Sequence, residues 1–492
     1  MKLYLYGHEY KYAVEQILLT LFPGERPEYP QGKPQGDRME VSLSHGSVYC
    51  TAVCSLYKDG KHSLGRASIK EALLTDRLIT DRHCQRLIKN AVYRAALKSG
   101  LKRPPWGALT GVRPGKLLCS LINSGLDEAA ALRRFITEYD VSPERGRLCM
   151  DTARETLKAA ASLDEKSVCL YIGIPFCPTR CSYCSCVSQS VDKSMKLIPP
   201  FLEALELEIR ACAAQVRKLG LRVVSIYFGG GTPTTLSARQ LDNLCSAISE
   251  EFDLSQLREY TVEAGRPDTI TADKLWVLTK HGVSRISVNP QTMSDQVLSA
   301  IGRKHSAADI ESALKKVLDC GSMAVNMDLI AGLPTDSDEG FKQSLDRVMA
   351  LEPENITIHT LSLKKGSTIT VEGAVIPGEG EVARMLEYAE EKLRAAGYFP
   401  YYLYRQKFMS GGFENVGWTK PGSVNLYNIC IMEELCSIIA MGGGGSTKLI
   451  CHDGGRNIRL MVPKYPLEYI NSIDSTCSDK QKISEFYAEH HG

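Results

Sequence analysis

From residue 168 the chain alternates short apolar runs, rich in branched and aromatic residues, with longer stretches whose apolar residues recur every three or four positions. The runs read VCLYIGI, VVSIYFGG, YTVEA, RISVN, AVNMDLIAG and NITIHTL. Segments of helical period such as FLEALELEIRACAAQVRKL and ADIESALKKVLDCG lie between them. The run starts recur at about thirty residues or a little more, the length of a strand with its crossover helix. Six parallel strands are expected, in an α/β fold: a partial (β/α)6 barrel over 166–378, with chemistry gathered at the carboxyl ends of the strands. An open doubly wound sheet is the alternative.

Residues 1–165 lack this rhythm. The strand-like runs MKLYLYG, RMEVSLSHG and VYCTAVCSLYKDGKHSL precede a helical region expected from Ser68 to about Ala161, so an N-terminal α+β domain of unclear function is expected. It contains PPWGALTGVRPGK, read as a structural turn that carries Arg113. Residues 379–492 are expected to form a smaller carboxyl-terminal domain. They open with the helical EVARMLEYAEEKLRAAG and hold an aromatic run, Tyr398 to Tyr404. The four glycines of SIIAMGGGGSTKL follow apolar residues directly, which favours an ordered turn over a linker.

Composition narrows the function classes. A net charge of +2 gives no global push towards nucleic acid or membrane. No stretch holds eighteen consecutive apolar residues and the amino terminus lacks a secretory apolar region. A cytoplasmic protein with no membrane span is expected, and a monomer, since no heptad pattern supports a coiled-coil dimer. Of seventeen cysteines, those scattered singly read as buried free thiols.

The exception is PFCPTRCSYCSC, which places Cys177, Cys181, Cys184 and Cys186 within ten residues. Structural zinc usually shows two CxxC pairs a dozen or more residues apart, and no second pair follows here. A redox dithiol needs only Cys181 and Cys184 and leaves Cys177 unexplained. An iron-sulphur cluster takes Cys thiolates, and three of them hold three irons of a four-iron cube, leaving one iron open to a small molecule.

CxxxCxxC just after the first strand of a βα barrel resembles the radical S-adenosylmethionine enzymes. Further motifs follow later strands: FGGGTPT, TVEAG, VNPQT, IGRKH and NMDLIAGLP. With YIGIPFCPTRCSYCSC they resemble the oxygen-independent coproporphyrinogen III oxidases over 168 to about 366. GALTGVRPGK and LYRQK resemble the HemZ branch, the coproporphyrinogen dehydrogenases. The glycines of FGGGTPT are expected to let backbone N–H groups face a bound ligand.

The resemblance implies that Cys177, Cys181 and Cys184 ligate a 4Fe-4S cluster whose open iron binds S-adenosylmethionine. Tyr171, Gly230 and Glu263 match family contacts to that cofactor, and Tyr183, Gly231, Thr232, Gln291, Arg303 and Asp328 match contacts to a second molecule of it. Cys186 matches a cysteine that is not a cluster ligand and is expected to be catalytic. Two positions depart from the family: Gly173 stands where a His is usual, and VEAGRP replaces the usual acidic-proline sequence.

The implied reaction is oxidative decarboxylation of porphyrinogen propionates to vinyl groups, in porphyrin and haem biosynthesis. It removes hydrogen from an unactivated carbon, which no side-chain base achieves at neutral pH. The implied partners are a tetrapyrrole and an electron donor such as flavodoxin or ferredoxin. Arg113, Arg266, Arg405 and Lys407 are candidate cations for the substrate's carboxylates, and the aromatic run a candidate cover for its face. A haem-binding carrier of the same fold, or another radical reaction on a tetrapyrrole, is the rival reading.

Overall fold

The computed structural model describes residues 1–184, 189–190 (backbone), 194–321, 323–362, 375–406, 412–452 and 455–490. Cys186 and Lys407 lie outside the described residues. The chain divides into two compact units: residues 1–150 together with Arg405 and Gln406, and a second built from 151–404 and the residues after 409.

The first unit is built on four strands in the order of the chain. β1 (Lys2–Tyr6) and β2 (Arg38–His45) are parallel, which requires a crossover, supplied by the helix Lys11–Leu21. The run expected as a single third strand is a hairpin instead, β3 (Tyr49–Lys58) and β4 (Lys61–Lys70). Asp59 and Gly60 turn it with φ of 50° and 73°, the left-handed pair that suits a two-residue hairpin. β4 therefore runs to Lys70, and the helical region expected from Ser68 begins later. Its long helix, Arg77–Lys98, starts where the Asp76 side chain accepts from the Ile79 N–H at 2.9 Å. That helix buries Cys84, Leu87, Ile88, Ala91, Val92 and Ala95 in a core shared with Met39, Val41, Cys54 and Leu56 of the sheet.

The second unit is organised by one eleven-stranded sheet. Its strands are β5 (Ser167–Ile174), β8 (Arg222–Gly230), β9 (Glu259–Glu263), β10 (Arg285–Ser287), β11 (Ala324–Ala331), β12 (Asn355–Thr360), β13 (Phe399–Tyr404), β14 (Asn415–Thr419), β15 (Ser437–Gly442), β16 (Ser446–Leu449) and β17 (Ile458–Met461). Between β5 and β8 a two-residue pair forms, β6 (Phe176–Cys177) with β7 (Gln189–Ser190). The order β12-β11-β10-β9-β8-β5 is parallel throughout, and its members are the six apolar runs of the sequence. β12 and β5 are not neighbours, so the barrel is partial. Amphipathic helices including Ile198–Leu219, Ala238–Glu251 and Ala307–Asp319 link the strands. Ser237 with Gln240, and Ser306 with Asp309, form capping boxes that fix two helix starts.

The stretch after residue 379 adds five strands to this same sheet. β14 lies antiparallel beside β12 and β13 beside β14, while β15 runs parallel along the other edge of β5. β15 is buried along its whole length, as expected for a strand covered on both faces. The four glycines end β15 in an ordered turn, where the Gly445 N–H donates to Gly442 O at 3.0 Å.

A buried ion pair fixes that edge. Glu208 of the helix Ile198–Leu219 and Lys480 are 2.6 Å apart and almost wholly enclosed. Glu208 also accepts from the Gly442 N–H at 2.8 Å and the Tyr469 hydroxyl at 2.6 Å, and Lys480 donates to Ala440 O at 3.0 Å. Removing one partner strands a buried charge. Glu208→Ala is expected to lower stability by about 3–5 kcal/mol, and the double variant Glu208→Met with Lys480→Met to lose much less. Denaturant unfolding measures both; equal losses contradict the assignment.

Candidate active site

β5 ends at Ile174 and delivers the chain into the cysteine loop. The turn after β8 holds that loop through its backbone: the Gly231 N–H donates to Ile174 O at 2.8 Å and the Thr232 N–H to Phe176 O at 2.7 Å. A Cβ on Gly231 would stand 2.4 Å from Phe176 O, so this glycine is required by backbone approach. For Gly231 the expectation that the glycine N–H groups face a ligand is corrected, since a protein carbonyl uses its N–H. Gly230 beside them has a φ of 102°. The Thr232 hydroxyl reaches the Cys177 sulphur at 3.4 Å. Farther along, the Ser182 N–H donates to Ile301 O at 3.0 Å, and Phe176 anchors the loop edge-on against Phe201.

The other side of the strand explains the first family departure. Gly173 pairs with Gly442 of β15. A Cβ on Gly173 would lie 2.8 Å from Gly443 O, and one on Gly442 would lie 2.3 Å from Gly173 O. A His at this position has no room while β15 pairs with β5.

Cys177, Cys181 and Cys184 are all partly accessible. Among the described residues, the groups of three whose ligand atoms all lie within 4.8 Å of one another are found elsewhere, and these three thiols do not form one. A single ion would need that closeness. A multi-iron cluster, with one thiolate on each of three irons, takes more widely spaced sulphurs. The set therefore fits a 4Fe-4S cluster better than one metal ion.

Positive charge surrounds the loop. Arg266, enclosed in the turn after β9, donates to the Cys181 sulphur at 3.4 Å and to the Thr179 hydroxyl at 2.5 Å. The residue that marks the second family departure, offered by the sequence as a rim cation for substrate, points into the cysteine loop instead. Arg303 donates to Asn289 O at 2.7 Å, Gly265 O at 3.3 Å and the Tyr183 hydroxyl at 3.2 Å. Burial pushes the Tyr183 hydroxyl well up, against the pull of Arg303. His305 is buried here with neither ring nitrogen hydrogen-bonded. Burial first, then Arg303 and Arg266, lower it to about 4, so it stays neutral at physiological pH.

The strand ends add acidic and aromatic groups. Glu263 closes β9 and accepts a short hydrogen bond from the Tyr227 hydroxyl. Burial raises its carboxyl to about 7 against that bond, with Asp328 and Cys184 adding to the rise. Those last two causes place Glu263 near both Asp328 and the cysteine loop. Tyr227 stacks on Tyr427 at 4.4 Å, and Tyr171 stacks on both at 6.3–6.4 Å. Asp328 in β11 accepts from the Asn326 amide at 2.8 Å and lies 3.7 Å from His359. Gln291 donates its N–H to Asp328 O at 2.8 Å and adopts a φ of 69°, a left-handed conformation that a non-glycine holds only under constraint.

Other candidates fall elsewhere. Arg113 occupies the N-cap position of the helix Pro114–Asn123 in the first unit, without a capping hydrogen bond from its side chain. Arg405, in the same unit, donates to Leu109 O at 2.6 Å and lies over the Trp106 ring. Tyr401 and Tyr402 are core residues of the second unit packed with Ile429, so the aromatic run is not a free face. Sequence reasoning passed over Tyr227, Tyr427 and His305. Only His305 lay inside a motif already marked, IGRKH.

Comparison with known proteins agrees with this geometry. The Radical SAM superfamily matches residues 171–348. The oxygen-independent coproporphyrinogen-III oxidase-like protein HemZ of Bacillus subtilis is 39% identical over 387 residues, 77% of each chain. Heme chaperone HemW of the same organism is 31% identical over 255 residues, 50% of this chain and 64% of that one. The structure of coproporphyrinogen III oxidase (HemN) from Escherichia coli, described as a radical SAM enzyme, superposes with a TM-score of 0.52 at 23% identity, over 66% of this chain and 73% of that one. The chain belongs to the radical SAM superfamily and, within it, to the family of oxygen-independent coproporphyrinogen-III oxidase-like proteins.

Proposed function

We propose that this protein oxidatively decarboxylates the propionates of coproporphyrinogen III to vinyl groups, giving protoporphyrinogen IX without oxygen. The observation that carries the reading is the gathering around one cysteine loop of Arg266, which donates to the Cys181 sulphur, of the Arg303–Tyr183 pair, and of Glu263 at the end of β9. The likeness to the oxidase-like HemZ supports it; the likeness to heme chaperones is the reason a haem carrier remains the reading to test against.

Cys177, Cys181 and Cys184 would hold the 4Fe-4S cluster, leaving one iron for S-adenosylmethionine. Bound there and reduced, these cofactors would supply the one-electron chemistry needed to remove a propionate hydrogen. The chain's own residues place and screen them. Ionised Glu263 would accept hydrogen bonds from the ribose diol, and Tyr171 and Gly230 are assigned to the same cofactor molecule. Arg303, Tyr183, Gln291, Thr232, Gly231 and Asp328 are assigned to a second cofactor molecule, the Gly231 and Thr232 contacts being made without their N–H groups. Cys186 is assigned a catalytic role. A tetrapyrrole substrate, a flavodoxin or ferredoxin as electron donor, a cytoplasmic setting and a monomeric state complete the proposal.

Anaerobic incubation with reductant, S-adenosylmethionine and coproporphyrinogen III, followed by mass spectrometry, tests it. Two losses of formic-acid mass are expected, and none in Cys177→Ala, Cys181→Ala or Cys184→Ala, which also lose the brown colour. Tight haem binding without turnover contradicts the oxidase reading.

Two predictions follow from the site's charges. Glu263 has a folded-state value of about 7 against an ordinary 4.5, so its contribution to stability is present below the ordinary value and lost as pH rises to and beyond 7. The thermal midpoint of cofactor-free protein should fall over that window, and Glu263→Gln should flatten the fall. A profile unchanged by the substitution contradicts the buried-carboxyl assignment. Arg266 places a cation and an N–H on the Cys181 sulphur, which favours the more negative, reduced cluster. Arg266→Met should keep the brown colour and move the reduction midpoint to a more negative potential in a redox titration followed by electron paramagnetic resonance. An unmoved midpoint shows that Arg266 serves the loop's shape alone.

A further inference from the structure

Two clusters outside the active site bring three ligating side chains together: Cys169, Cys430 and Cys436 in the second unit, and His45, Cys50 and Cys84 in the first. In each, the ligand atoms all lie within 4.8 Å of one another. A tetrahedral zinc, with bonds of about 2.3 Å to sulphur and about 2.0 Å to nitrogen, spaces its ligand atoms by roughly 3.5–4 Å. Both clusters approach that spacing. Cys169 and Cys436 are 3.6 Å apart, and the Cys50 sulphur lies 4.0 Å from the His45 Nε2.

Charge separates the two. Three thiolates around a divalent ion leave a net negative charge, and the Cys169 cluster lies in an apolar core with Val224, Leu426 and Ile438. Two thiolates and a neutral imidazole leave none. The His45 cluster also has a feature the other lacks. Glu71 holds the His45 Nδ1 at 2.8 Å, which fixes the ring and the tautomer and turns the Nε2 lone pair towards Cys50. A carboxylate behind the far nitrogen is the usual support of a metal-bound histidine.

We propose that the first unit binds one zinc ion through His45 Nε2, Cys50 Sγ and Cys84 Sγ, with the fourth position open to water. The fold brings these residues together from three places. His45 ends β2 and pairs across the hairpin with Cys50 of β3, and Cys84 comes from the helix Arg77–Lys98 that covers the sheet. The ion therefore ties helix to sheet. His45 is the exposed member while both thiols are buried, so the open position faces the solvent side. Soft thiolates with imidazole suit zinc and disfavour magnesium or calcium. Burial raises both thiols, Cys50 to about 12, so binding must release two protons and its affinity should rise with pH. A nucleophilic Cys50 served by His45 and Glu71 is the competing use of the same triad. The burial of Cys50 and its raised thiol oppose it.

The site is independent of the iron-sulphur reading, and its test uses the full chain with its iron cluster loaded. Zinc is counted by elemental analysis, and cobalt(II) serves as the optical probe of a tetrahedral thiolate site. One zinc per chain is expected beyond the iron, with cobalt bands that disappear in Cys50→Ser and Cys84→Ser and persist in Cys54→Ser, a control that also loses a buried thiol of β3. His45→Gln, a surface change that leaves the fold intact by circular dichroism, should weaken zinc binding at least tenfold. Absence of zinc after incubation with zinc salt overturns the proposal. So do cobalt bands that survive in Cys50→Ser and Cys84→Ser, which belong to other thiols, and zinc affinity unchanged in His45→Gln.

Discussion

The backbone of residues 173–176 is gripped from both sides, and the rest of the site depends on that grip. On one side Gly231 and Thr232 donate to the carbonyls of Ile174 and Phe176. On the other Gly173 lies against Gly442 and Gly443 so closely that no side chain fits at the contact. Small residues on three strands thus let backbone meet backbone, and the cysteine loop leaves β5 in a fixed direction. The Glu208–Lys480 pair holds the β15 edge from behind through the Gly442 N–H. A buried ion pair contributes little net stability over an apolar pair but strongly disfavours arrangements that break it, which suits a role in fixing position.

Electrostatics then divides the site. The arginine side, Arg266 and Arg303 with neutral His305, faces the thiols and stabilises negative charge there. The acidic side, Glu263 with Asp328 near it, is buried enough to hold a proton near neutral pH until a ligand supplies hydrogen bonds to the carboxylate. Titratable groups with opposed environments side by side recur at functional sites. The stacked tyrosines 171, 227 and 427 wall this region, and Tyr227 links the wall to Glu263.

Much of this was legible in the sequence, because parallel strands buried on both faces read as unbroken apolar runs. The six runs became β5, β8, β9, β10, β11 and β12, and residues of FGGGTPT, TVEAG and IGRKH lie by the cysteine loop. The β3–β4 hairpin was signalled by Asp59–Gly60 but merged into one strand with the run around it. β13 to β17 were not legible as members of the same sheet, since their pairing with β5 and β12 is set by contacts more than two hundred and about sixty residues away along the chain, which no local pattern encodes. The same limit explains Gly173: it reads as a lost polar group until Gly442 and Gly443 are seen against it. Arg266 was found as a cation in the sequence, but its aim at Cys181 depends on how the turn after β9 folds.

The central claim is that Cys177, Cys181 and Cys184 hold a four-iron cluster with one iron open to S-adenosylmethionine. Electron paramagnetic resonance of the reduced protein, recorded anaerobically with and without S-adenosylmethionine, tests it most directly. The account predicts the signal of a single reduced 4Fe-4S cluster whose shape changes on adding S-adenosylmethionine. A signal that the cofactor leaves unaltered, or reconstituted protein with no cluster signal, contradicts it.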